Sequence, residues 1–186
     1  MLKAYSVKGN KDLKVVGGIS DFVVLHQTVR KMMLVIADYE IEKADVSTLL
    51  GHFLGKIEQA YLGEGIKETC LVRKEQVSQY GFYSSWIELI FIHDLLRLLS
   101  GYAVLDSQDE VNLQLLEHLA EESLCEKGEF YPGTVRNAIR QSFAGWGIRE
   151  FLERFNCSSD QLFPDVDSRL LLEVKKCLDT YFYDHE

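Results

Sequence analysis

Glu88, His93, Asp94 and Arg97 are the residues whose types and spacing suggest chemistry, and they fall within ten positions of one another. A histidine beside an acid is how an imidazole is oriented as a base. A carboxylate on an apolar helix face is how a general acid acquires a raised pKa. At about 100° per residue, His93, Asp94 and Arg97 share one arc, whereas Glu88 lies half a turn from Arg97 among Phe91, Ile92, Leu95 and Leu99. Each residue also has a plainer role. Glu88 stands three residues after Ser85, the spacing of a capping box, which favours a carboxylate folded back on the helix start. Asp94 and Arg97 are three apart and pair within one helix. His26 is the remaining candidate, at the edge of the apolar face of another helix, where a core histidine is commoner than a ligand. No HExxH or paired carboxylate–histidine motif joins these residues, so no metal and no cofactor are implied. Phosphate-binding glycine loops and a GxSxG elbow are also absent.

A second group, Glu110, Glu117 and Glu121, shares one face of a helix expected over 107–127, capped by Ser107 with Glu110. Such a stripe reads as a solvated surface or, more sharply, as a docking face for a basic protein. The charge of the whole chain sharpens this. Residues 1–105 carry 12 basic and 12 acidic side chains, and residues 106–186 carry 8 and 17, so the net charge of -9 belongs to the second part. An acidic surface repels phosphate backbones, which excludes nucleic acid as the expected partner. The aromatic set Tyr80, Phe82, Tyr83 and Trp86 has no interleaved basic residues and reads as packing rather than as a base-stacking platform.

The elements that must position these residues follow from periodicity. The run 85–100 is apolar around most of its circumference, so other elements must bury it; it is too short and too charged to span a bilayer. Strands are expected at 2–7 and 13–19, joined by a Gly-Asn turn, and again at 70–72 and 77–83. Helices are expected at 21–37, capped by Ser20, and at 45–62, capped by Asp45. Gly51 and Gly55 lie one turn apart on the second helix, where they suggest close approach by another backbone. Beyond residue 127, helices are expected at 134–144, 148–155 and 166–182, the last with heptad-like spacing that seals either the core or a homo-oligomer seam.

These elements amount to an α+β fold. A small antiparallel sheet of three or four strands is packed by helices 21–37, 45–62 and 85–100 in a neutral core of residues 1–105. A mainly helical acidic portion, 106–186, lies against it as part of one continuous domain. The start of the chain lacks the basic and apolar run of a secretory signal, and Cys70, Cys125, Cys157 and Cys177 form no CxxC pair. Both point to a cytoplasmic protein with reduced thiols.

Three segments add a resemblance: 15–26 (VVGGISDFVVLH), 49–63 (LLGHFLGKIEQAYLG) and 80–91 (YGFYSSWIELIF). Together they resemble a family of uncharacterised bacterial proteins, a domain of unknown function, over roughly residues 1–100. The resemblance implies an α+β arrangement and a soluble bacterial protein, and no catalytic residue. The function expected from the residues is a non-enzymatic interaction or neutralising module with an acidic docking face. The alternative is a small enzyme or ligand-binding protein with a pocket beside helix 85–100, using Glu88, His93, Asp94 or His26.

Overall fold

The computed structural model describes residues 2–7, 12–38, 43–72 and 75–125. In chain order the elements are β1 (Lys3–Ser6), β2 (Asp12–Gly17), α1 (Ile19–Asp38), α2 (Lys43–Leu62), β3 (Ile66–Val72), β4 (Glu75–Ser85), α3 (Trp86–Ser100) and α4 (Ser107–Cys125). The strands make one antiparallel sheet in the order β1-β2-β4-β3. Two hairpins are thus joined through β2 and β4, with α1 and α2 inserted between them in sequence. The fold is α+β, as the alternation of periods implies.

Strand alternation decides which sheet face is covered. Leu13 and Val15 of β2 and Phe82 of β4 belong to the core, with Leu2, just before β1, and the partly buried Ala4 on β1. Phe82 is where sheet and helices meet: its ring lies 5.9 Å from Phe22 of α1 and 5.8 Å, edge-on, from Phe53 of α2. On the other face Lys14 stands level with Tyr5 on one side and Tyr83 on the other. Lys14 also bridges to Glu68 of β3, which is level with Gln79. That bridge crosses β4 at Gly81, the residue between Gln79 and Tyr83 on the same face. A Cβ on Gly81 would sit 2.1 Å from the Val15 carbonyl oxygen. Gly81→Ala must therefore push β2 and β4 apart, and it is expected to destabilise the fold by about 3 kcal/mol. A denaturation midpoint equal to wild type would contradict this.

Helix α3 is the centre of the helical layer, as its apolar circumference demands. Leu89, Ile92, Leu95 and Leu96 are fully buried, and the helix packs on α4, α1, α2 and β4. No helix among the described residues is long and apolar enough to cross a membrane.

Three local expectations need correction. Helix α1 starts at Ile19, and its cap is Gly18, whose N–H donates to Asp21 Oδ2 at 2.9 Å; Ser20 is already inside the helix. Helix α2 starts at Lys43, so Asp45 is also inside it. Gly51 and Gly55 meet no other backbone: a Cβ on either finds no atom within 4 Å. The pair is thus a helix weakness with no packing return, and Gly55→Ala is expected to stabilise the protein by about 0.5–1 kcal/mol. Thermal unfolding checks it, and a lowered midpoint would show that Gly55 has a role in packing. Helix α2 ends as expected at Gly63, whose φ of 77° suits glycine and lets Glu64 N–H reach Gln59 O at 2.9 Å. The helices expected at 134–144, 148–155 and 166–182, with the homo-oligomer seam of the last, lie outside the described residues, as does all of the acidic portion after 125.

Candidate functional site

The polar residues of α3 fall into two clusters, one at each end. At the start, Glu88 is only 2 % exposed, and its carboxylate receives Lys56 Nζ from α2 at 2.7 and 2.8 Å and Ser84 Oγ at 2.6 Å. Burying a carboxylate among apolar side chains costs several kcal/mol unless a cation and further donors surround it. Lys56, on the helix side opposite the apolar stripe of α2, reads as a solvent-facing residue by periodicity. In the fold it lies over the first turn of α3 and supplies that cation. Whereas the sequence suggests a cap on its own helix, these contacts make Glu88 a tie between α2, β4 and α3, with its charge at the positive end of the α3 dipole. The side chain of Ser85, the other half of the expected capping box, lies outside the described residues.

The second cluster joins α3 to α4. His93 is 1 % exposed, with Nδ1 placed 3.0 Å from Asp94 Oδ1, an arrangement in which the carboxylate accepts the ring N–H. Its Nε2 is 3.9 Å from Glu117 Oε2 of α4. Arg97 does not turn to Asp94, as i, i+3 spacing suggests. Its guanidinium donates to Glu110 Oε2 at 2.6 Å and stands 3.8 Å from Glu117. The reason is packing: α4 lies along the arc of α3 that holds His93, Asp94 and Arg97. It offers Arg97 carboxylates at 110 and 117 in a geometry the intrahelical pair cannot match.

The same contacts revise the acidic stripe. Glu110, Glu117 and Glu121 do share a side of α4, but that side borders α3. Glu110 and Glu117 are half-buried against Arg97, and Glu121 is exposed. Among the described residues, the exposed ones of the helix are Ser107, Gln108, Val111, Gln114, His118 and Glu121. His26, the remaining candidate, is half-buried on α1 with its ring edge-on to Tyr61 of α2, 5.6 Å between centroids. It belongs to the α1–α2 seam and joins neither cluster. Among the described residues no three His, Cys, Asp or Glu side chains are grouped to hold a metal ion.

A third polar group has no counterpart in the sequence reading. Thr28 of α1 and Asp109 and Asn112 of α4 are all buried. Thr28 Oγ1 donates to Asp109 Oδ1 at 2.8 Å and accepts from Asn112 Nδ2 at 2.8 Å; Lys31 Nζ donates to Asp109 Oδ2 and, at 3.3 Å, to Asp106 Oδ2. The cap of α4 is built into this network. Asp106 Oδ1 accepts the N–H groups of Gln108 and Asp109, each at 2.9 Å, and Asp106 N–H donates to Asp109 Oδ2 at 3.1 Å. This is a reciprocal capping box one residue earlier than the expected Ser107–Glu110 pair. Its spacing, an acid at 106 and another at 109, was present in the sequence. The link to Thr28 and Lys31, about 80 residues earlier, left no local signal.

The electrostatics of this network are directional. Desolvation works to raise the Asp109 carboxyl, but Lys31, the Asp106 N–H and the Thr28 hydroxyl outweigh it and hold the group below the ordinary carboxylate value. Asp106 is also lowered, first by the Asp109 backbone N–H and then, against desolvation, by Lys31. Lys31 is raised, chiefly by its hydrogen bond to Asp109. Among the described residues, Lys31 bridges to Asp106 and Asp109, and Arg97 bridges to Glu110 and Glu117, along the first half of α4.

Compared with protein-family models, with curated proteins and with solved structures, the chain has no match in any of the three.

Proposed function

We propose that this protein is a non-enzymatic interaction module that docks a basic protein on the acidic ridge of α4. The observation that carries the reading is the run of carboxylates along α4, where Asp106 and Glu110 stay 64 % and 46 % exposed while bound to Lys31 and Arg97, with exposed Glu121 farther along the helix. A field of one sign speeds association with an oppositely charged surface. The buried acids of α3 have internal work, since Glu88 is tied to Lys56 and Ser84 and Asp94 accepts from His93.

A pocket beside α3 is the competing reading, and the His93–Asp94 pair at 3.0 Å is what favours it. At 1 % exposure, that imidazole is closed to a substrate in this arrangement.

Native mass spectrometry of the chain captured from its host's lysate tests the proposal. The expected adduct is a basic protein that dissociates as salt rises from about 50 to 500 mM, where screening shortens from roughly 14 to 4 Å, and that binds Glu121→Lys more weakly. Charge reversal at Glu121 leaves the Arg97 contacts in place, which reversal at Glu117 would not. A metal or small-molecule adduct, or a partner indifferent to both salt and Glu121→Lys, overturns the proposal.

A further inference from the structure

The corner between α3 and α4 combines the ridge's charge with apolar surface. Helix α3 closes with Gly101 N–H on Leu98 O and Tyr102 N–H on Leu99 O, and the Asp106 cap then opens α4. Within that short span Leu98 is 41 %, Val104 92 % and Val111 54 % exposed. Single exposed apolar residues are ordinary, but here they cluster in sequence around the loop that joins α3 to α4. Val104 stands two residues before Asp106, and Val111 directly follows Glu110. The side chains of Asp106 and Glu110 are 64 % and 46 % exposed, so each retains a face toward solvent while bound to Lys31 or Arg97.

We infer that this corner receives a basic amphipathic helix of the partner protein, with its apolar side on Leu98, Val104 and Val111 and its Lys or Arg residues on Asp106 and Glu110. The inference rests on the acidic-ridge reading and adds the shape of what binds there. Charge selects the occupant. A second copy of this chain brings the acidic excess of residues 106–186 and is repelled, as are phosphate-bearing surfaces. A purely apolar segment desolvates the open faces of these carboxylates and offers them no further partner. A helix with apolar residues at i, i+3 and i+4 beside cations satisfies both requirements.

The test is fluorescence anisotropy of the full chain with a labelled designed peptide of about 18 Leu and Lys residues patterned as an amphipathic helix. A shuffled peptide of the same composition serves as the control. The expected result is at least about tenfold tighter binding of the patterned peptide. Val104→Ser with Val111→Ser should abolish that preference while leaving the shuffled peptide's affinity and the thermal midpoint unchanged. Equal affinity for the two peptides, or a preference that survives the double substitution, overturns the corner assignment and leaves the acidic ridge standing as a charge-only surface. Binding of neither peptide at low salt overturns both.

Discussion

Replacing Lys56 with Met is expected to destabilise the protein by about 3 kcal/mol, the cost of leaving a buried carboxylate without its cation. Glu88 is the residue that suffers. It is 2 % exposed, and after the substitution its carboxylate keeps the Ser84 hydroxyl but loses both hydrogen bonds from Lys56. Lys56 is itself 29 % exposed, so water at the rim of the site softens the loss and holds it at the lower end of the range for broken buried pairs. The complementary variant is the more telling one. Lys56→Met combined with Glu88→Leu removes both charges and fills the same space with apolar atoms, and it is expected to recover most of the lost stability. A double-mutant cycle by chemical denaturation reads the coupling directly, with an interaction energy of about 2 kcal/mol anticipated. Additive single effects would mean that Lys56 and Glu88 act independently, and the tie between α2 and α3 would then have no energetic basis.

Asp109→Ala is expected to cost about as much, near 3 kcal/mol, because one carboxylate serves three donors. It accepts from Lys31, from Thr28 and from the Asp106 N–H, and its loss leaves the buried Thr28 and the α4 cap each short of a partner. The same network predicts a pH dependence whose sign follows from the shifts. Asp106 and Asp109 are lowered on folding, so their contribution is complete above the ordinary value of 3.8 and is lost as pH falls through their lower folded values. Lys31 is raised, so its contribution is complete below 10.5 and is lost as pH climbs through its higher folded value. The α1–α4 clamp therefore holds across the neutral range and opens first in strong acid. Asp109→Asn should flatten the acid limb of a stability-versus-pH curve relative to wild type. Parallel acid limbs for the two proteins would assign acid sensitivity to other carboxylates.

Much of the architecture was legible because it follows from period and punctuation. The apolar run through Leu89, Ile92, Leu95 and Leu96 could only be an internal helix, and α3 is buried on nearly every side. The N-terminal hairpin and two later strands of the same sheet were visible from β-branched runs around turn residues, although only pairing shows that β3 and β4 make a second hairpin and that β2 and β4 join the two. Boundaries were harder, since Gly18 or Ser20 before α1, and Asp106 or Ser107 before α4, are near-equal choices for a local rule. Gly51 and Gly55 misled for a related reason: a small residue permits close approach but does not compel it.

The candidate site was legible only in its membership. Glu88, His93, Asp94 and Arg97 stood out because polar side chains in an apolar helix must be satisfied, and all four make close polar contacts. What satisfies them was not readable, because the partners come from other helices. Lys56 and Lys31 lie across from the apolar stripes of α2 and α1, where periodicity alone implies solvent, yet each reaches a buried carboxylate.

From its order of residue types alone, this chain determined an α+β fold, a central buried helix and an excess of negative charge after residue 105. Tertiary structure decided how those charges are spent. Glu88 went to Lys56, Arg97 went to Glu110 and Glu117 rather than Asp94, and Asp109 closed a clamp with Thr28 and Lys31. The physical reason is range. Periodicity and capping act over a few residues along one element, whereas a buried charge is neutralised by whichever opposite charge packing brings within hydrogen-bond distance.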